Sequence, residues 1–135
     1  MATVRGSCLC GAVSFAASAL LGMRNCHCSR CRLSRAAPFA TNLFAASEHF
    51  EWRSGFDRIR QFRLPGAARF GTAFCADCGS LVPREFDGRV NVPAGCLDSD
   101  PGITPAGHIF TGSKAPWFSI EDDLPQWEER MNAGK

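Results

Sequence analysis

The sequence predicts a mainly β fold with little helix, and three observations carry that reading. Apolar and polar residues alternate in short runs of six or seven, separated by Gly, Pro and Asp, which is the period of half-buried strands. The chain has eleven phenylalanines and three tryptophans, and seven of the phenylalanines fall within those runs, where they suit a sheet core better than a platform for stacking bases. Helical periodicity is scarce.

In chain order the candidate strands are "GAVSFAA" at 11–17, "FATNLFA" at 39–45, "RIRQFRL" at 58–64, "ARFGTAF" at 68–74, "LVPREF" at 81–86 and "RVNVPA" at 89–94. Between the last two, Asp87-Gly88 is a hairpin-turn signal. One helical turn is expected near "CSRCRLS" at 28–34 and a short helix near "PQWEERM" at 125–131. The segment 112–126, "GSKAPWFSIEDDLPQ", holds too many turn formers for regular structure and is expected to wrap across the surface. No repeat, low-complexity tract or linker interrupts the chain, so one domain is expected over residues 1–135.

Composition narrows the chemistry. The start lacks the charged, apolar and small-residue regions of a signal peptide, and no apolar run is long enough to span a membrane. A cytoplasmic location follows as the expectation. There, eight cysteines point to metal or redox chemistry and not to a disulfide framework. The formal charge is only +2, but nine arginines lie between Arg24 and Arg69 against Glu48, Glu51 and Asp57. That basic middle suits an anionic small molecule, a nucleic-acid backbone or a merely solvated surface, and charge alone does not choose among them; nucleic acid is not the expected partner.

Seven of the cysteines form three clusters: Cys8 and Cys10; Cys26, Cys28 and Cys31; Cys75 and Cys78. In an extended strand, residues i and i+2 share a face, so a C-x-C pair aims both sulfurs at one point. C-x-x-C followed by Gly79 makes a tight knuckle, because glycine takes the positive φ that folds the chain around a metal. Cys8, Cys10, Cys75 and Cys78 are therefore expected to hold a structural Zn²⁺ with four thiolates, stabilising by about ten kcal/mol or more on the scale of zinc-finger peptides. In "NCHCSRC", Cys26 and Cys28 share a strand face and a turn through Ser29 and Arg30 returns Cys31 towards them. Three thiolates with a fourth position open are the mark of a catalytic zinc.

Rivals for that fourth position are Cys96, His27, His49 and His108. His27 should point to the opposite strand face, Cys96 reads as a small buried hydrophobe, His49 as an exposed strand end and His108 as a satisfied structural histidine. A redox reading of "CADC" lacks the following helix and βαβ setting. Spacing alone leaves iron–sulfur binding open; the separate four- and three-cysteine groups and the β-rich setting favour zinc.

"GSCLCGAVSF", "NCHCSRCR" and "FCADCGS", with the ending "HIFTGSKAPWFSIEDDLPQWEE", resemble the glutathione-dependent formaldehyde-activating enzyme and centromere protein V family over nearly the whole chain. The resemblance implies a β-tent of antiparallel sheets stapled by the four-cysteine zinc site. It implies two Zn²⁺ per chain, a structural ion on Cys8, Cys10, Cys75 and Cys78 and a catalytic one on Cys26, Cys28 and Cys31. The activity it implies is condensation of formaldehyde with glutathione to S-hydroxymethylglutathione, a carbon–sulfur lyase reaction run in reverse, with a small thiol such as glutathione as partner. No glutathione-carboxylate clamp is matched residue by residue; Arg30, Arg32 and Arg35 lie near the cup in sequence, and Trp117 and Phe118 are candidate pocket walls. The alternative is a non-catalytic zinc module that binds a macromolecule.

Overall fold

A computed structural model describes residues 3–131. Eleven strands run in the order β1 (Val4–Ser7), β2 (Ser14–Ala17), β3 (Leu20–Cys26), β4 (Ala40–Ala46), β5 (Phe50–Ser54), β6 (Ile59–Arg63), β7 (Gly71–Cys75), β8 (Leu81–Val82), β9 (Arg84–Phe86), β10 (Arg89–Pro93) and β11 (His108–Ile109), with helix α1 (Ser29–Arg35) between β3 and β4. They form three sheets with strand orders β1-β2-β5, β11-β3-β4-β10-β9 and β6-β7-β8. All pairings are antiparallel except β11 with β3. The expected mainly β fold is what the chain forms.

Phe15, Met23, Leu43, Val90 and Val92 pack the first sheet onto the second. Phe15 stacks on Phe50 with centroids 5.6 Å apart and meets the edge of Trp52, so alternating strand residues supply the core as the sequence pattern requires. A separate cluster of Cys8, Val13, Ala73, Cys75 and Val82 joins the first sheet to the third. Two thiols are thus part of that seam. Among the described residues no helix is long and apolar enough to cross a membrane, which bears only on helical spans.

Several local expectations are corrected. The run 81–86 is not one strand: Pro83 splits it, and β8 joins the third sheet while β9 joins the second, as expected of a residue that cannot donate to a ladder. The expected single turn at 28–34 is a seven-residue helix. Residues 125–131 are not helical; their backbone runs beside β11, with Trp127 N–H donating to His108 C=O and His108 N–H to Pro125 C=O, both at 2.9 Å. The competing β11 edge, which takes up the backbone groups of Pro125, Trp127 and Glu129, decides that outcome. The Asp87-Gly88 turn is as predicted: both residues have positive φ, 52° and 77°, and Arg89 pairs with Phe86 across it, the signature of a type I′ hairpin.

Candidate metal centres

The first group assembles where β1 ends and where β7 turns into β8. Cys8 and Cys10 do not lie on a strand, contrary to the expected C-x-C geometry. Their backbone turns, with Gly11 N–H donating to Cys8 C=O at 3.1 Å and Gly11 at φ 83°. On the opposite side the knuckle is as read from sequence: Gly79 has φ 77°, its N–H donates to Cys75 C=O at 2.8 Å, and Asp77 N–H points at Cys75 Sγ at 3.4 Å. Val13 N–H likewise donates to Cys8 Sγ at 3.3 Å. These amides stabilise negative charge on sulfur. Ser80, which the cysteine pattern did not single out, lies 3.2 Å from Cys78 Sγ, and its hydrogen bond brings that thiol down to about 6.

All four sulfurs of Cys8, Cys10, Cys75 and Cys78 lie within 4.8 Å of one another. Cys8 and Cys10 are 3.6 Å apart and Cys10 and Cys75 3.9 Å. Thiolates about 2.3 Å from a tetrahedral zinc sit roughly 3.8 Å apart, so the group fits that ion closely. Each of the chain's eight cysteines is a free thiol.

The second group lies where β3 meets α1. Cys26 ends β3, and Cys28 is the N-cap residue, extended at φ −64° and ψ 154°, whose sulfur accepts from Cys31 N–H at 3.3 Å. Cys31 occupies the first helical turn. The chain thus changes from strand to helix around the three sulfurs, which again lie within 4.8 Å of one another. Hydrogen bonds from Cys26 and Cys31 hold the Cys28 thiol far below its usual range. The contact with Cys28 pushes Cys26 up to about 11, and contacts with Cys26 and Cys28 push Cys31 up strongly. Cys26 and Cys31 hold their protons chiefly because these are donated to the neighbouring sulfurs, and the negative charge on those sulfurs adds to the effect. A cation offsets that charge.

Among the described residues no fourth Cys, His, Asp or Glu joins these three. Cys96 packs with the Phe15 core, and burial pushes its thiol up to about 12. His49 lies exposed in a turn at Ser47–His49. His27 and His108 are fully buried and bonded to each other, His27 Nε2 to His108 Nδ1 at 2.8 Å. His108 Nε2 in turn meets Asp122 Oδ2 at 3.0 Å. Spacing could not reveal this chain, since its members are far apart in sequence and meet only through the β3–β11 pairing. Burial, then His108, lowers His27 to about 4. In the neutral chain the protons order themselves: Asp122 accepts from His108 Nε2–H, and His108 Nδ1 accepts from His27 Nε2–H.

That order predicts a measurable coupling. His108→Phe strands a buried donor on His27 at a cost of about 1–3 kcal/mol. Adding His27→Phe removes the stranded group, so urea melts of the four-member cycle are expected to give a coupling of at least about 1 kcal/mol. Additive losses would contradict the bond.

Of the other candidates, Phe118 packs on His27 and Phe39 with centroids 6.1 and 5.6 Å away, whereas Trp117 is 70% exposed. Arg30 is exposed, Arg32 Nε donates to Ser113 C=O at 3.2 Å, and Arg35 donates to Asn42 Oδ1 at 2.7 Å. A surface concavity of about 380 Å³ along β1, β2 and β5 contains no thiol.

The family described as glutathione-dependent formaldehyde-activating enzyme matches residues 3–113. A crystal structure of a Rhodobacter sphaeroides protein is similar at 25% identity, with a TM-score of 0.57, covering 75% of this chain and 91% of that one. No curated protein matches the chain.

Proposed function

Because the chain belongs to the glutathione-dependent formaldehyde-activating enzyme family, we propose that it is a carbon–sulfur lyase-type enzyme, joining a small thiol such as glutathione to formaldehyde or a similar carbonyl and reversing that step. Cys26, Cys28 and Cys31 form its catalytic cup; Cys8, Cys10, Cys75 and Cys78 hold a structural Zn²⁺, within one domain that works in a thiol-reducing compartment such as the cytoplasm. The observation that carries this reading is the cup itself: three convergent sulfurs with no fourth ligand among the described residues.

The thiol's sulfur forms the new bond to the carbonyl carbon, the carbonyl π pair moves to oxygen, and the proton lost by sulfur ends on that oxygen. A Zn²⁺ held by the cup would supply a site for the incoming sulfur and lower its pKa. The chain's own residues do the rest. Cys28, fixed as the N-cap, and Cys31, one helical turn into α1, set the direction from which a thiol approaches. Three thiolates around a divalent cation sum to one negative charge, which favours a soft sulfur donor over a hard oxygen. Arg35, one turn beyond Cys31, offsets the charge that the incoming thiolate adds.

The test is exchange spectroscopy by NMR on glutathione and formaldehyde at equilibrium. Zinc-loaded protein is expected to speed exchange between free glutathione and its hydroxymethyl adduct, and chelated protein is not. Equal exchange rates with loaded protein and with buffer, for glutathione and simpler thiols alike, would leave the non-catalytic zinc module as the better reading.

A further inference from the structure

A second cavity lies between the second and third sheets, at the C-terminal end of α1. It is about 40 Å³ and is lined by Arg35, Thr72, Val82, Arg84, Asn91 and Pro93, among others. Its two cations are the unusual feature. Neither Arg35 nor Arg84 meets a carboxylate among the described residues; the ion pairs found there are Arg53–Glu51, Arg58–Asp77, Arg69–Asp87 and His108–Asp122. Each guanidinium spends one donor on a fixed neighbour, Arg35 on Asn42 Oδ1 and Arg84 on Arg69 C=O at 2.9 Å, which holds the fork in place and leaves donors free. Arg84 also lies over the Phe86 ring, 5.2 Å from its centroid.

Two further details shape the cavity for a ligand. Gly71 leaves room on two sides: a side-chain carbon there would lie 2.6 Å from the Phe62 carbonyl oxygen and 3.1 Å from the Arg84 guanidinium carbon. Asn91 Oδ1 is buried and unpartnered among the described residues; a half-turn of that amide offers its NH₂ as an additional donor. Burial lowers both guanidinium groups from their usual range, and the Arg63 charge adds to this at Arg84. Half-buried cations with unused donors are costly unless an anion completes them. The cup's negative charge balances one of the two at most.

We propose that the Arg35–Arg84 cavity is a carboxylate-binding subsite that takes the acid end of the thiol whose sulfur is held at the cup. The volume admits a carboxylate head and little more, and the two planar forks suit its paired oxygens. Arg35 and Cys31 are separated by one helical turn, about 6 Å, and Phe70, the residue before Gly71, packs against the cup. The second half of the proposal rests on the thiol reading above; the first half does not.

The test begins with formate and zinc-loaded full-length protein, followed through the arginine Nε–H resonances. Arg35 and Arg84 signals are expected to shift together and saturate. Arg84→Gln is expected to weaken formate binding by about tenfold or more, whereas Arg60→Gln, on exposed β6, leaves it unchanged. If Arg84→Gln melts early, Arg84→Lys, which keeps the charge and loses the fork, takes its place with the same expected direction. No saturable shift, or equal affinity in a folded Arg84 variant, overturns the subsite. Glutathione and its carboxyl diester are then compared for binding. Weaker binding of the diester supports the acid-end assignment; equal binding overturns that half while the formate result stands. If neither form binds, the thiol reading itself has failed, and the formate titration still decides the cavity.

Discussion

Cys78→Ala is expected to leave the chain unfolded or close to it at room temperature. The four thiols it belongs to tie the end of β1 to the β7–β8 turn, and two of them, Cys8 and Cys75, are 3% and 0% exposed within the seam formed with Val13, Ala73 and Val82. Metal-linked folding energy in comparable four-ligand sites is about 10–16 kcal/mol, against a total stability of about 5–15 kcal/mol for a domain of this size. Losing one sulfur removes most of that term and leaves three thiols crowded without a cation. Circular dichroism melts of the variant and of wild type with a strong chelator are expected to coincide at low temperature. A variant that melts within a few degrees of the loaded wild type would show that the seam holds without its metal.

Cys31→Ala is expected to do the opposite: activity falls to that of chelated protein while the β fold stays. Cys31 sits in the first turn of α1, at the edge of a small cluster with Cys26, Ala40 and Ile109, away from the Phe15 core. Removing its buried sulfur costs about 1–2 kcal/mol of packing, and the N-cap bond from residue 31 N–H to Cys28 is a backbone donor that alanine retains. Two thiolates no longer make a tight cup, so thiol exchange chemistry is expected to vanish while the melting temperature falls by about 10 °C or less, far less than for Cys78→Ala. If Cys31→Ala unfolds as badly as Cys78→Ala, the cup is structural and the enzyme reading falls.

Both variants rest on features that were legible in the sequence for a physical reason. Thiol spacing and Gly79 determine local geometry, and local geometry is what a sequence states most directly. The Gly79 knuckle, the return of Cys31 and the Asp87-Gly88 hairpin are all of this kind, whereas the extended geometry expected at Cys8 and Cys10 gave way to a turn. What stayed hidden depended on distant partners. β3 escaped notice because Gly22, at φ 147°, breaks its alternation where the register with β4 shifts. β11 is two residues long and exists by pairing with β3. The mistaken helix at 125–131 has a helix-like polar–apolar pattern, but His108 and Phe110 claim its backbone groups. The His27–His108–Asp122 chain and the Arg35–Arg84 cavity likewise join residues that no spacing rule connects.

The central claim is that a metal held by Cys26, Cys28 and Cys31 keeps one position for a thiol from solution. Zinc X-ray absorption on protein with both groups loaded addresses it directly. Four sulfurs at one group and three at the other average about 3.5 per metal. Added glutathione is expected to raise that value towards four, with loss of the single light-atom neighbour at the cup, and Cys31→Ala is expected to abolish the change. A sulfur count already at four before any thiol is added, or one that no thiol alters, would contradict the claim.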